Sequence, residues 1–266
     1  TPGKTKTALL KLGFKDIYED AYGADMGCIT EAHHYVSSVA TGKLPFLFTS
    51  CCPAWVELTR RQFPDLAPEI SQELTPMVAT ARHIKERDPE ARVVFIGPCA
   101  AKKLEASRTY VRSYVDFVIT FEELAGMFDA LDINLEELEE SPVEFTATGA
   151  GRGYAVAGGV ASAIEKCINE YYPGTEVKIQ HAEGLADCKK TLMLAKAGKL
   201  NGCMIEGMGC PGGCVAGVGT IIPVERAKAT VAQMVAASSK PVPDKELEEE
   251  GERLTRMSPP KDPSLD

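Results

Sequence analysis

Short apolar runs alternate with amphipathic segments along this chain, and the hydrophobic period switches between two and nearly four as they do. Leu9, Leu10 and Leu12 predict a first helix over residues 7–15, stopped at Gly13. Residues 14–18 are predicted as a short strand leading to Asp20, and a second helix runs from about Ile29 to Ser38. Strands follow at 46–49, 92–96, 115–120, 177–181 and 202–206. The helices predicted between and after them cover 54–62, 71–86, 121–131, 160–171, 185–197 and 226–239. Pro76 falls in the first turns of the 71–86 helix, and Thr120 with Glu123 has the spacing of a capping box.

Strands alternating with helices predict an α/β architecture with largely parallel sheets flanked by helices. The chain is expected to form two lobes, roughly 1–145 and 146–239 with some exchange of segments, and a functional cleft between them. Residues 134–140 read as an acidic, solvated stretch. Gly149, Gly151 and Gly153 make a weak nucleotide-loop signature, because no buried strand precedes them, so a flexible connection between lobes is the expectation. Residues 240–266, rich in Pro, Lys and Glu, are expected to form a charged tail with one helical turn near 246–254 and too little apolar surface to pack.

A chain of 266 residues can bury a large core. Its formal charge of −9 provides no basic stripe, which argues against nucleic acid as a partner. No segment reaches the roughly 18 consecutive apolar residues of a membrane span, and no signal-peptide apolar region follows Thr1. The missing initiator Met suggests a fragment of a longer chain. Nine cysteines, an odd number without an export signal, fit a reducing, cytoplasmic setting with metal-bound or buried thiols.

Five of those cysteines stand in three turns built of Pro, Gly and small residues, each directly after an apolar run. They are Thr49-Ser50-Cys51-Cys52-Pro53-Ala54-Trp55, Gly97-Pro98-Cys99-Ala100-Ala101-Lys102 and Glu206-Gly207-Met208-Gly209-Cys210-Pro211-Gly212-Gly213-Cys214. Strand ends that deliver thiols to one spot make a thiolate-ligated metal site. Four thiolates from three turns match the Cys₄ ligation of an iron–sulfur cubane, with zinc as the main rival. Adjacent Cys51 and Cys52 rarely both ligate one compact cubane, so one of them has another task, as a proton carrier, a nucleophile or a buried spectator. Cys28, Cys167, Cys188 and Cys203 lie outside glycine-rich turns and read as core thiols. Lys102, one helical turn beyond Cys99, could hydrogen-bond an anionic ligand; Glu105 could pair with it, and Lys103 reads as a surface lysine.

The three islands resemble the signatures of the [FeFe]-hydrogenase catalytic domain: Thr-Ser-Cys-Cys-Pro-x-Trp, Pro-Cys-x-x-Lys-x-x-Glu and Glu-x-Met-x-Cys-x-x-Gly-Cys, here in that order at 49–55, 98–105 and 206–214. The resemblance extends from about Gly3 to Ala229. It implies an H-cluster, a [4Fe-4S] cubane joined through one cysteine sulfur to a diiron subcluster with CO, CN⁻ and azadithiolate. By motif position Cys52, Cys99, Cys210 and Cys214 would hold the cubane, with Cys214 shared. Lys102 would hydrogen-bond a cyanide, Met208 would pack over the diiron part, Pro98 would line the cofactor pocket, and Cys51 would exchange protons with the bridge amine.

Gapless extension of that pattern places relay positions at Glu31 and Ser71. Where better-studied members carry a second glutamate and an arginine, this chain has His34 and Ser38, and His34 is the expected substitute acceptor. Gly97 before Pro98 and the stretch 215–220 also depart from the usual pattern, which resembles a less-studied branch. The family segment that packs beside the diiron part is not seen before Thr1, and only Cys28 precedes the first island. The resemblance therefore implies a minimal reversible hydrogenase that takes electrons at the cubane from a ferredoxin-like external carrier. It further implies diiron maturation proteins and leaves room for a partner subunit. A slow-turnover hydrogen sensor and a non-catalytic iron–sulfur assembly protein are the alternatives. Intact Cys51 opposes the sensor, and no additional N-terminal cubane cysteines support the assembly reading.

Overall fold

A computed structural model describes residues 1–256. The elements of the first half are α1 (Pro2–Lys11), α2 (Ala21–Ser38), β1 (Leu47–Phe48), α3 (Pro53–Gln62), α4 (Pro76–Arg87), β2 (Val94–Gly97), α5 (Ala101–Ala106), β3 (Phe117–Thr120) and α6 (Phe121–Ala130). Those of the second half are α7 (Gly149–Gly153), α8 (Gly159–Tyr171), β4 (Lys178–Glu183), α9 (Leu185–Lys196), β5 (Cys203–Met208), α10 (Val224–Ala236) and α11 (Leu247–Thr255).

The strands form two parallel sheets flanked by helices. One has the order β1-β5-β4, the other pairs β2 with β3. Leu47 and Phe48 pair with Met204 and Ile205, so an early strand completes a sheet made mostly by the last two. Short parallel strands of this kind need cover on both faces. Cys28, Tyr35, Ile164, Ile168 and Met204 pack on one side of the three-stranded sheet. Phe48, Trp55, Leu192 and Ile205 pack on the other. A separate core of Met77, Val78, Val93, Val111 and Val115 supports β2.

Several sequence expectations change. α1 starts at Pro2, because Thr1 accepts from the Lys4 amide and caps it. No strand forms over 14–18; Phe14 and Ile17 instead pack irregularly on the core of α1 and α6. α2 begins at Ala21, well before Ile29, and its early glycines allow close approach: a Cβ on Gly23 would lie 2.4 Å from the Pro76 carbonyl oxygen. Residues 71–75 are not helical, and α4 starts at Pro76, where a missing amide proton costs nothing.

The glycine-rich stretch is no flexible connection. It forms the buried turn of α7, fastened by Asp25, whose carboxylate accepts from the Thr148 amide at 2.7 Å, the Thr148 hydroxyl at 2.6 Å and the Gly151 amide at 2.9 Å. The expected tail also packs up to Arg256. Leu254 of α11 is fully buried beside Met26 and Ala79, and Gly251 lies against Thr30 and the Met26 carbonyl. The rest of that stretch, 257–266, lies outside the described residues. No helix among the described residues is long and apolar enough to cross a membrane.

Candidate active site

Each cysteine island is a strand end turned sharply into the next element. β1 runs into Thr49–Ser50–Cys51–Cys52, and Cys52 stands at the N-cap of α3, with Pro53 opening the helix. Trp55 is fully buried and donates its indole N–H to the Thr49 carbonyl at 3.1 Å. Its ring occupies the place a side chain at 207 would need, since a Cβ on Gly207 would lie 2.1 Å from it. The tryptophan of the first island thus explains the glycine of the third. The Gly209 amide approaches Cys52 Sγ at 3.3 Å.

The turn after β5 is held from several directions. Gly212 and Gly213 have φ of 94° and 91°, a left-handed conformation that favours glycine. The Gly212 amide donates to Glu183 at 2.8 Å, and its carbonyl accepts from Ala157. Glu206, buried in β5, accepts from the Gly158 and Ala161 amides at 2.8 Å each and so anchors the start of α8. That explains Gly158-Gly159, since a Cβ on Gly159 would strike the Gly153 carbonyl. Beyond Cys214, the Gly219 amide donates to the Pro98 carbonyl at 2.9 Å, tying the third turn to the second across the two sheets.

These turns bring Cys52, Cys99, Cys210 and Cys214 within mutual electrostatic reach. Burial pushes the Cys214 thiol up to about 12, Cys52 and Cys99 add to the rise, Lys102 opposes it and Cys210 adds again. Cys210 is raised by burial, then by Cys52 and Cys99. Cys51 is raised far above the usual thiol range by burial, then by Cys52, Glu206, Glu31 and Cys214. Among the described residues no three His, Cys, Asp or Glu side chains converge on a single-ion position, a convergence that a polynuclear cluster does not require. The donor set fits an iron–sulfur cluster: four thiols delivered by three strand-end turns match its Cys₄ ligation, and cationic metal among them would offset the crowding of thiolate charge.

Lys102 reaches toward this set from α5. Its ammonium lies 2.8 Å from Glu105 and 3.4 Å from the Cys51 carbonyl, and both Lys102 and Glu105 are buried. Burial works against the charge, but Glu105, Asp20 and Cys99 outweigh it and hold Lys102 above the usual lysine range. Lys103 points outward to Glu123. Met208 is buried at the end of β5. Cys28, Cys167 and Cys188 are fully buried in the core, whereas Cys203 is only half-buried.

Glu31 sits in the middle of α2 and is 3% exposed, with Oε1 finding no hydrogen-bond partner among the described residues. Burial pushes it up to about 8; Glu73 adds to the rise, the adjacent Ser71 hydroxyl opposes it and Glu206 adds again. Ser71 is thus brought to Glu31, whose charge in turn acts on Cys51. His34 and Ser38 are placed differently. Ser38 turns its hydroxyl back to the His34 carbonyl within the helix. Half-buried His34 has its protonated form disfavoured by burial and then by Arg256, with Glu252 opposing.

Sequence reasoning missed Asp20, Glu73 and the anchoring role of Glu206. Asp20 is pushed up to about 6 by burial, against the pull of Lys102. Only Glu206 carried a sequence signal, its place in the third island.

An α/β fold whose strand ends gather four thiols defines a class of protein suited to hold an iron–sulfur cluster. Residues 1–218 match the family model of the iron-only hydrogenase large subunit, C-terminal domain, and the chain belongs to that family. It is 30% identical over 259 residues to iron hydrogenase 1 of Clostridium pasteurianum, covering 82% of this chain and 45% of that one. Protein NAR1 of Arabidopsis thaliana is 25% identical over 285 residues, covering 83% of this chain and 60% of that one. The chain therefore spans about half the length of these curated relatives. A solved variant of an [FeFe]-hydrogenase from Chlamydomonas reinhardtii superposes with a TM-score of 0.74 at 23% identity, over 96% of this chain and 82% of that one, a likeness of fold.

Proposed function

We propose that this chain is the catalytic unit of an iron hydrogenase that interconverts protons and H₂. The observation that carries this reading is the pairing of a four-thiol set with a separate, half-buried thiol, Cys51, within electrostatic reach of the raised carboxyl of Glu31. An iron–sulfur protein that only stores or passes on a cluster has no need of that fifth thiol and acid. Cys52, Cys99, Cys210 and Cys214 would hold the [4Fe-4S] cubane of an H-cluster, Cys214 also meeting the diiron subcluster with its CO, CN⁻ and azadithiolate. When bound, the cofactor supplies the electron and hydride chemistry.

The protein's share is proton handling and exclusion of water. Cys51 would hold and release a proton beside the cofactor, and Glu31 with Ser71 would carry it onward. Lys102, kept charged by Glu105, supplies a fixed cation for an anionic ligand, while Met208 and Pro98 close the apolar side of the pocket. Electrons would come from a ferredoxin-like carrier, with maturation proteins delivering the diiron part in the cytoplasm. The likeness to Protein NAR1 over most of the chain, with 36% identity over 90 residues to the cytosolic Fe-S cluster assembly factor NAR1 of Kluyveromyces lactis, favours a second reading, a role in iron–sulfur cluster assembly.

Co-production with diiron maturation proteins, followed by infrared spectroscopy and a reduced-viologen H₂ assay, separates these readings. CO and CN⁻ bands with fast turnover support the enzyme, and bands with little turnover support a hydrogen sensor. A bound cubane without such bands rejects both and leaves the assembly role.

A further inference from the structure

Glu31 lies too deep to exchange protons with solvent directly. Its outward neighbours are therefore the groups that decide whether Cys51 can be resupplied. Two residues beyond Ser71 stands a second buried acid, Glu73, only 6% exposed, whose charge acts on Glu31. The Glu73 amide donates to the Ser71 hydroxyl oxygen at 3.2 Å, which leaves the hydroxyl hydrogen free to point at a carboxylate. The Glu73 carboxylate in turn accepts from the Thr255 hydroxyl of α11, and the Thr30 and Thr255 hydroxyls stand 3.4 Å apart. The backbone holds this arrangement: Glu73 pairs with Arg256 in an antiparallel bridge, and the Leu74 amide donates to the Thr255 carbonyl at 2.5 Å. One turn back along α11, half-exposed Glu252 pairs with Arg256 at 2.6 Å and meets solvent.

We propose that Glu73 is the outer proton-relay residue of this site, exchanging protons with Glu31 through the Ser71 hydroxyl and with solvent through Thr255 and Glu252. The inference rests on the hydrogenase reading above. The balance is simple: Glu31 gives a proton to Ser71 Oγ as Ser71 gives its own to Glu73, so one proton advances and no electron moves. The reverse sequence serves proton uptake. Glu73 thereby takes the part that His34 was expected to play on α2.

The electrostatics agree with the geometry. Among charged groups Glu73 acts most strongly on Glu31, ahead of Glu206 from β5. Glu73 itself is raised by burial and by Glu252, and is lowered by the Thr255 and Thr30 hydroxyls and Arg256. Both acids are held above the usual range by burial, Glu31 beside the Ser71 hydroxyl and Glu73 beside the Thr255 and Thr30 hydroxyls. His34 faces the same outlet residues, Glu252 and Arg256, but its cationic form is disfavoured there.

The test uses the full chain, wild type and the variants E73Q, E73D and H34A, with and without the loaded cofactor. In the loaded protein E73Q is expected to lower viologen-driven H₂ turnover about 100-fold and to change its pH profile, with the CO and CN⁻ bands intact. E73D is expected to restore most of the turnover, and H34A to lose less than E73Q. In the unloaded protein, infrared titration of the buried carboxyl C=O stretch should show Glu31 ionising at lower pH in E73Q. Wild-type turnover and pH profile in E73Q, or a larger loss in H34A than in E73Q, overturns the assignment. A loaded wild type that does not turn over rejects the hydrogenase reading itself and the relay with it, and so is distinguishable from failure of Glu73 alone.

Discussion

The thiol set and the acid route beside it are assembled in different ways. Cys52, Cys99, Cys210 and Cys214 come from the ends of parallel strands, and backbone contacts among the turns hold them: Gly209 on Cys52, Gly219 on Pro98, Ala157 on Gly212. Glu31 and Glu73 come from the middle of a helix and from an irregular segment, and a distant helix, α11, closes over them. The first region depends on local backbone geometry, the second on tertiary packing. On the proposed function, the thiols that would hold a metal cluster are set by rigid backbone, whereas the groups proposed to move protons are set by how well they are shielded from water.

Breaking the first region should have the largest effect. Cys99→Ala would remove one of the four proposed ligands, and cubane iron and H₂ turnover should both disappear, read by iron and sulfide content and the reduced-viologen assay. Glu31→Ala attacks the second region and should leave iron content unchanged while lowering turnover about 100-fold or more. Comparable losses of iron in the two variants would erase the distinction. Gly207→Ala tests the fit of Trp55 under the thiol set; overpacking there should cost about 1–3 kcal/mol and lower the thermal midpoint of the unloaded protein.

A smaller effect sharpens the acid route. Glu31 titrates at about 8 in the folded chain against 4.5 for an ordinary glutamate, so the folded state keeps a proton that the unfolded state loses. Its contribution is fully present below about pH 4.5 and falls away as the pH rises to about 8. Glu31→Gln should therefore flatten the decline in thermal midpoint of the unloaded protein across that window. An unchanged slope would show that Glu31 ionises freely. His34→Ala should be the mildest, with a stability change within about 0.5 kcal/mol and a smaller loss of turnover than Glu31→Ala.

The same contrast explains what could be read from the chain alone. The islands were legible because strand, turn and thiol are adjacent in sequence, as were the Thr120–Glu123 capping box and the amphipathic α8. The acid route was only half legible: Glu31 and Ser71 followed from motif spacing, but Glu73 lies in no motif. The segment bearing α11 read as an unpacked tail because its apolar content is low. It packs instead through one buried leucine, Leu254, a glycine that lets the backbones approach, and the pairs His33–Glu248 and His83–Glu250 at 2.7 Å and 2.6 Å. Asp25 likewise organises α7 across a long sequence separation, a polar contact to which hydrophobic periodicity is blind.

The pairing of β1 with β5 has a consequence for how the molecule is born. The first strand made and the last one made among the described residues lie side by side, and that pairing brings the first and third islands together. Pairings over so long a sequence separation, Leu47 with Met204, are slow to form. Cys52 and Cys99 leave the ribosome long before Cys210 and Cys214, and they must wait as exposed, oxidisable thiols until β5 docks. On the proposed function, loading of the metal site would be a late event, gated by completion of the sheet, and a truncation before Cys203 would leave three unprotected island thiols, Cys51, Cys52 and Cys99, without Cys210 and Cys214.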